Sequence, residues 1–292
     1  MRRGPVAVFD SGIGGLTVLR EIRRLLPGED LCYLADQAHV PYGPRPADEV
    51  RALCRGAVRF LLDEGAAVVV VACNTASAAA LHHLREVFPR VSFVGMEPAV
   101  KPAAQASRSG AVGVLATPGT FRGRPFCSVV ERFARGVRVL TATCPGLVDA
   151  VEAGETAGPR LRALVEEALA PLLREGIDAL VLGCTHYPHA LETIREVCGP
   201  GVDVIDPAPA VARQVLRVLE GQGWRGPGGA AGRVRLYTSG PAPAFRARLP
   251  AVWPEGGEAV PVTWQDGRLV RAIGDGASGR APASGGQGGE AL

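Results

Sequence analysis

The sequence predicts an α/β protein made of two pseudo-symmetric α/β domains, whose mostly parallel sheets face each other across a cleft. Three observations carry that reading. Short runs of Val, Leu and Ile alternate with longer segments of helical period, the pattern of βαβ units. The order of elements that begins at Val6 starts again at Ala111. In both cycles the third strand-like run ends on a cysteine followed by polar residues, Cys73-Asn74-Thr75 in the first and Cys184-Thr185-His186 in the second.

In the first cycle, strands are expected over 6–10 (VAVFD), 31–35 (LCYLA), 67–73 (AVVVVAC) and 91–95 (VSFVG). Each is a short apolar run, and a parallel strand covered on both faces needs no polar alternation. Between them, TVLREIRRLL and ADEVRALCRGAVRFLLDEG repeat their apolar residues at helical spacing and predict amphipathic helices. The second cycle offers strands over 111–117 (AVGVLAT), 137–143 (VRVLTAT), 178–184 (DALVLGC) and 202–206 (VDVID). APAVARQVLRVLEGQG then reads as a helix, GWRGPGGAAGR as a loop, and RVRLYTSG and EAVPVTW as strands separated by PAFRARL. Residues 1–97 and 208–265 are assigned to the first domain and 98–207 to the second. Residues 266–292 are Gly/Ala-rich with little apolar content to offset their ordering entropy, and are expected to form a disordered tail.

Composition restricts the function classes. At 292 residues and 47% hydrophobic, the chain can bury a core for each domain. The 32 basic and 29 acidic residues are spread along it without a polybasic block, which argues against a nucleic-acid partner. No apolar run approaches the roughly 20 residues of a membrane span, and MRRGPVAVFD lacks a signal-peptide core. A cytoplasmic location is expected. The seven cysteines show no C-x-x-C or other metal spacing and are expected to be thiols in a reducing compartment. Cys32, Cys54, Cys127, Cys144 and Cys198 read as small buried hydrophobes.

Cys73 and Cys184 read differently, because open parallel sheets present the residues at their carboxyl edges to a ligand crevice. Two thiols opposed across a cleft suit the inversion of a carbon stereocentre, which needs a base on one face and an acid on the other. Forming a thiolate at neutral pH costs about 2 kcal/mol from an ordinary thiol pKa, and a helix N-terminus lowers that cost. Asn74, Thr75, Thr185 and the backbone N–H groups opening both following helices can hold a carboxylate. Asp10 and His186 can steer the proton or meet an ammonium group, so the cleft suits a small zwitterion.

Other readings are weaker. DSGIGGLT follows a strand and opens a helix, but Thr17 stands where a dinucleotide fingerprint needs glycine. Its glycines fit a tight turn and a close approach to a small anionic ligand. Cys73, Cys184 and His186 would give zinc an uncommon ligand spacing. Lys101 would need a desolvated pocket to form a Schiff base. His82 and His83 read as partly exposed helix residues, and PYGPRP around Tyr42 explains itself as a rigid turn.

DSGIGGLTVL, ADQAHVPYGPRP, ACNTASA, GMEPAVKPA and LGCTHYPHAL occur in the order and at the approximate spacings of the glutamate racemases, over 6–238. The chain resembles that branch of the aspartate/glutamate racemase family. The resemblance implies a cofactor-independent and metal-free racemisation of glutamate, supplying D-glutamate for the bacterial cell wall. It implies that Cys184 acts on the L-substrate and Cys73 on the D-substrate. Asp10, His186 and Glu152 take supporting roles, Glu152 lying in the less distinctive stretch CPGLVDAVEAG. Glutamate is bound through Asp10 and Ser11, Tyr42 and Gly43, Asn74 and Thr75, and Thr185 and His186. The apolar content is compatible with a homodimer. Two alternatives keep the same cleft: a racemase of aspartate, a hydantoin or another small acid, with altered ligand-binding pairs, and an amino-acid-binding protein without turnover.

Overall fold

The computed structural model describes residues 4–224 and 230–272, and every expected strand is present within two residues of its expected ends. The first cycle runs β1 (Val6–Asp10), α1 (Leu16–Leu25), β2 (Leu31–Ala35), α2 (Ala47–Asp63), β3 (Val68–Val71), α3 (Asn74–Val87) and β4 (Ser92–Gly95). The short helix α4 (Val100–Ala106) leads to β5 (Ala111–Ala116), α5 (Pro118–Phe121), α6 (Arg124–Phe133), β6 (Arg138–Ala142), α7 (Leu147–Glu152) and α8 (Pro159–Arg174). The second cycle closes with β7 (Ala179–Gly183), a 3-10 turn (Tyr187–Ala190), α9 (Leu191–Cys198) and β8 (Asp203–Ile205). After it come α10 (Ala208–Gly221), β9 (Val234–Thr238), α11 (Ala242–Val252), β10 (Ala259–Gln265) and β11 (Arg268–Arg271).

These strands form two sheets, one of seven strands in the order β11-β10-β9-β2-β1-β3-β4 and one of four in the order β6-β5-β7-β8. Both contain the same four-strand arrangement, with the second strand of the cycle beside the first, then the third and the fourth. All pairings are parallel except β10 with β11. In each sheet the strand order reverses beside the first strand of the cycle. The loops after β1 and β3, and after β5 and β7, therefore open on the crevice where such sheets bind ligands.

Alternation along β1 shows how the domains are joined. Val6 and Val8 face an apolar cluster that also contains Leu115, Leu147, Leu169, Leu180 and Leu182 of the second cycle. Ala7 and Phe9 face the opposite side with Leu34, Val69, Val71, Phe60 and Tyr237. One continuous core thus runs from the first sheet into the second domain, and the cleft has apolar backing. Val112, Val114 and Val181 pack with Phe126 and Val129 on the far side of the second sheet. Among the described residues the only exposed large hydrophobe is Val87, so a homodimer would have to use a largely polar face.

The expected tail begins too early. Residues 268–271 are not tail but strand β11, pairing Val262 with Arg271 and Gln265 with Arg268 across a two-residue turn. That turn is Asp266-Gly267, both with positive φ (48° and 72°), as a type I′ hairpin requires. Leu269 is buried, and Glu64, the C-cap of α2, holds Arg271. The remainder of the expected tail, 273–292, and positions 225–229 of the Gly-rich loop lie outside the described residues. No helix among those described is long and apolar enough to cross a membrane.

Candidate active site

The two thiols reach one pocket from different local structures. Beyond β3, Cys73 turns extended (φ −68°, ψ 123°) and caps α3, its Sγ accepting the Ala76 N–H at 3.5 Å. Cys184 follows β7 directly but leads into the 3-10 turn, with the Tyr187 N–H bonded to its carbonyl at 3.2 Å. The expectation that both cysteines open α-helices therefore holds for Cys73 alone. Pro188 sits in the first turn, where its missing N–H costs no helical bond, and the regular helix begins at Leu191.

The pocket between them is narrow, with about 20 Å³ in which the centre of a water-sized sphere fits, inside about 280 Å³ of non-atom space that includes open solvent at its mouth. Ser11, Tyr42, Gly43, Cys73, Asn74 and Thr75 line it from the first domain, and Cys184, Thr185 and His186 from the second. Of the residues singled out in the sequence, Asp10 and Glu152 are not in the lining but directly behind it. Both Asp10 oxygens are occupied: Oδ1 accepts from the Gly12 N–H at 2.9 Å and the Ser11 hydroxyl at 3.2 Å, and Oδ2 from the Thr185 hydroxyl at 2.8 Å. Burial raises the Asp10 pKa, against the opposing effect of His186 and these donors.

Glu152, at the end of α7, receives three hydrogen bonds. Its Oε1 accepts from His186 Nε2 at 2.6 Å and from the Ile13 N–H at 2.7 Å, and its Oε2 from Gln37 Nε2 at 2.8 Å. Burial would raise its pKa, but the His186 bond and charge, with Gln37 and Ile13, hold it below the usual value. For His186, burial works against the charged form, and the bonds to Cys184 and Glu152 outweigh it, so the imidazole is held charged well above its ordinary range. Its Nδ1 lies 3.8 Å from Cys184 Sγ.

Cys73 has the opposite setting. Desolvation and then the Asp10 charge push its thiol far above the ordinary range, while the Ala76 N–H favours the thiolate less strongly; the thiol itself donates to the Ser11 hydroxyl at 3.9 Å. The helix N-terminus thus acts in the expected direction, but burial decides the outcome.

The glycines of the β1–α1 loop permit close approach, though to a different partner from the one expected. A Cβ on Gly12 would lie 1.8 Å from Glu152 Oε1, and one on Gly14 2.5 Å from His186 Nδ1. The loop is thin because the acid and imidazole of the other domain pack against it.

Asn74 carries the site's uncommitted amide: its Oδ1 and Nδ2 are both buried, and neither has a hydrogen-bond partner among the described residues. Tyr42 has no free hydroxyl, since it donates to Asp36 Oδ2 at 2.7 Å. Asp36 also accepts from Ser239 at 2.6 Å and Trp264 at 2.7 Å, fastening the Tyr42 loop to β9 and β10.

Sequence reasoning missed Thr117, Asp36 and Gln37. Thr117 lines the pocket, and its Oγ1 lies 2.8 Å from that of Thr75 across the cleft. It ends the fifth strand run as Asp10 ends the first, and that parallel was the available signal. Asp36 similarly follows the second strand. The other residues considered lie elsewhere. His82 pairs with Glu86 at the surface, His83 meets Arg55, and Lys101 sits 5.0 Å over the Phe133 ring. All seven cysteines are free; Cys127 is exposed on α6, contrary to the buried reading, and the other four bystanders are buried. Among the described residues no three His, Cys, Asp or Glu side chains converge as a metal site.

Comparison with known proteins gives one consistent answer. The profile of the Asp/Glu/hydantoin racemase family matches residues 13–215. A glutamate racemase of Pseudomonas aeruginosa is 51% identical over 248 residues, covering 85% of this chain and 93% of that protein. The crystal structure of Escherichia coli glutamate racemase in complex with L-glutamate and the activator UDP-MurNAc-ala superposes with a TM-score of 0.78 at 33% identity, over 89% of this chain and 97% of that one. The Francisella tularensis glutamate racemase in complex with D-glutamate gives a TM-score of 0.79 at 26% identity, over 91% and 98%.

Proposed function

The chain belongs to the Asp/Glu/hydantoin racemase family, and from that membership we propose that it interconverts L-glutamate and D-glutamate by passing the Cα proton between Cys184 and Cys73. The observation that carries this reading is that the two thiols, each at the carboxyl end of the third strand of its cycle, line one pocket. Relatives solved with L-glutamate and with D-glutamate support the choice of substrate.

The surroundings of the thiols are unequal: the charged His186 lies beside Cys184, a setting that favours an anionic sulfur, and the family resemblance assigns Cys184 to the Cα proton of L-glutamate. The electron pair left on Cα spreads into the α-carboxylate. Cys73, kept as a neutral thiol by burial and Asp10, delivers its own proton to the opposite face and is left as the thiolate. D-Glutamate reacts by the reverse sequence. No cofactor enters the scheme, and the developing charge is met by fixed donors in a water-poor cleft. Asn74, whose polar atoms have no partner among the described residues, and the hydroxyl of Thr75 are the groups for the substrate's carboxylates, while the Thr185 hydroxyl is already committed to Asp10. Asp10 and Ser11 serve the Cys73 side, and Glu152 keeps His186 charged. Tyr42 and Gly43 close the wall. We place this reaction in the cytoplasm, where seven free thiols persist, and assign its product to peptidoglycan synthesis.

The test is incubation with L-glutamate in D2O without added cofactor, following optical activity and the Cα proton signal together. Loss of both is expected. Exchange with retained chirality would mean that one thiol works alone and would overturn the two-sided scheme. If neither changes, the same assay with aspartate separates a different substrate from a protein that only binds.

A further inference from the structure

Gln37 stands just beyond β2, and both ends of its side-chain amide are engaged. Its Nε2 donates to Glu152 Oε2 at 2.8 Å, and its Oε1 accepts from the Thr238 hydroxyl at 2.9 Å. Thr238, fully buried at the end of β9, in turn accepts the Gly240 N–H at 3.1 Å. The stem is confined as well, since a Cβ on Gly240 would lie 2.8 Å from Gln37 Cβ. The amide therefore has one favoured orientation, because a flip would set its carbonyl against the Glu152 carboxylate and leave that oxygen without its donor.

The two oxygens of Glu152 are held differently. Oε1 serves both His186 and the Ile13 N–H, whereas among the described residues the hydrogen bond to Oε2 comes from Gln37. A carboxylate tied at one oxygen can pivot about it. Tied at both, it keeps a fixed plane, and with it the direction in which His186 is held beside Cys184.

We infer that Gln37, oriented by Thr238, is a positioning residue for the Glu152–His186 pair, through which the first domain sets the surroundings of the second domain's thiol. This rests on the racemase reading for its kinetic consequences, but not for its structural ones. The other titratable groups facing Glu152 are Asp10 at the end of β1, Tyr33 in β2 and His186 with Cys184 behind it. None of them is altered by the substitutions below.

Gln37→Leu removes the donor and should lower kcat by roughly tenfold to a hundredfold, the usual result of slight misplacement in an active site, with KM within about twofold. Its deficit should widen as pH falls, because Glu152, deprived of a donor to its charged form, takes up a proton at a higher pH. Gln37→Glu should show the opposite slope. While the introduced acid is protonated it donates and accepts as the amide does, and as it ionises two carboxylates confront each other, so activity relative to wild type falls with rising pH. Thr238→Val should reproduce part of the Gln37→Leu deficit, and Thr238→Ser should restore it. A 13C NMR titration of the Glu152 carboxyl in Gln37→Leu, independent of turnover, should show the midpoint moved upward. Unchanged midpoint and pH profiles would overturn the inference even if the variant melts earlier. A wild-type protein that fails to racemise glutamate would overturn the functional reading instead, and the NMR titration would then decide the role of Gln37.

Discussion

Asn74 and the two cysteines make separable demands on the protein. A buried amide with no partner costs about 1–3 kcal/mol, and both polar atoms of Asn74 are in that state. Asn74→Ala is therefore expected to leave the melting temperature unchanged or higher while raising KM for glutamate at least about tenfold, since a lost charge-assisted bond has roughly that value. A variant that melts earlier in calorimetry would show that the amide is satisfied in the free protein. Replacing either thiol by a hydroxyl removes an acid/base group of suitable pKa, so Cys73→Ser and Cys184→Ser should each lose roughly 10²–10⁴ in kcat with little change in stability. They should differ in D2O: Cys73→Ser still exchanges the Cα proton of L-glutamate, and Cys184→Ser that of D-glutamate, as proton NMR of each enantiomer would report. At this scale the cysteines were legible because a positional repeat placed them equivalently. Gln37 was not, because its meaning lies in Glu152, 115 positions away in the chain.

At the scale of elements, buried strands such as the VVVV of β3 were readable because four β-branched residues in succession suit a doubly covered strand. The 3-10 turn after Cys184 has no comparable signal: the positional repeat predicts two identical strand-to-helix turns, and only Cys73 opens an α-helix directly. The joints at the far edge of the sheets were also invisible to periodicity. Asp178, just before β7, accepts the Ser107 hydroxyl at 2.6 Å and the N–H groups of Arg108 and Ser109 at 2.5 and 2.7 Å, pinning the α4–β5 turn. These donors, the Ser107 bond first, lower its pKa to about 2. Because the folded value lies below the unfolded one of about 3.9, the stabilisation is fully present above pH 4 or so and is lost as pH falls toward the folded value. The side chain is largely solvated, so the expected effect is under about 1 kcal/mol. Asp178→Asn should accordingly melt slightly earlier than wild type at pH 7, and the difference should shrink at pH 3, with kcat unchanged. An equal difference at both pH values would assign the effect to packing.

Over the whole molecule, the seven-stranded sheet is completed by β11, the half of its last hairpin that composition alone assigns to a tail. The Asp266-Gly267 pair was the signal for it. Truncation after Gly267 removes β11, exposing the site of Leu269 and releasing Glu64 from Arg271. Burying one leucine side chain contributes about 1.5–3 kcal/mol, so this form should melt several degrees lower than one truncated after Ala272. Equal melting of both would mean that the hairpin adds nothing. The shared strand order of the two sheets bears on the handedness of the reaction. A half-length unit with that order, paired with a copy of itself about a two-fold axis, would present two thiols in identical surroundings to the two faces of a bound carbon. The joined chain has left that condition: one thiol caps a helix next to a buried acid, and the other adjoins an imidazolium. No such departure can move the equilibrium between enantiomers away from unity, which is fixed by the ligands themselves. What broken symmetry can change is time, by letting the two directions rest on different slow steps and giving each enantiomer its own saturation behaviour.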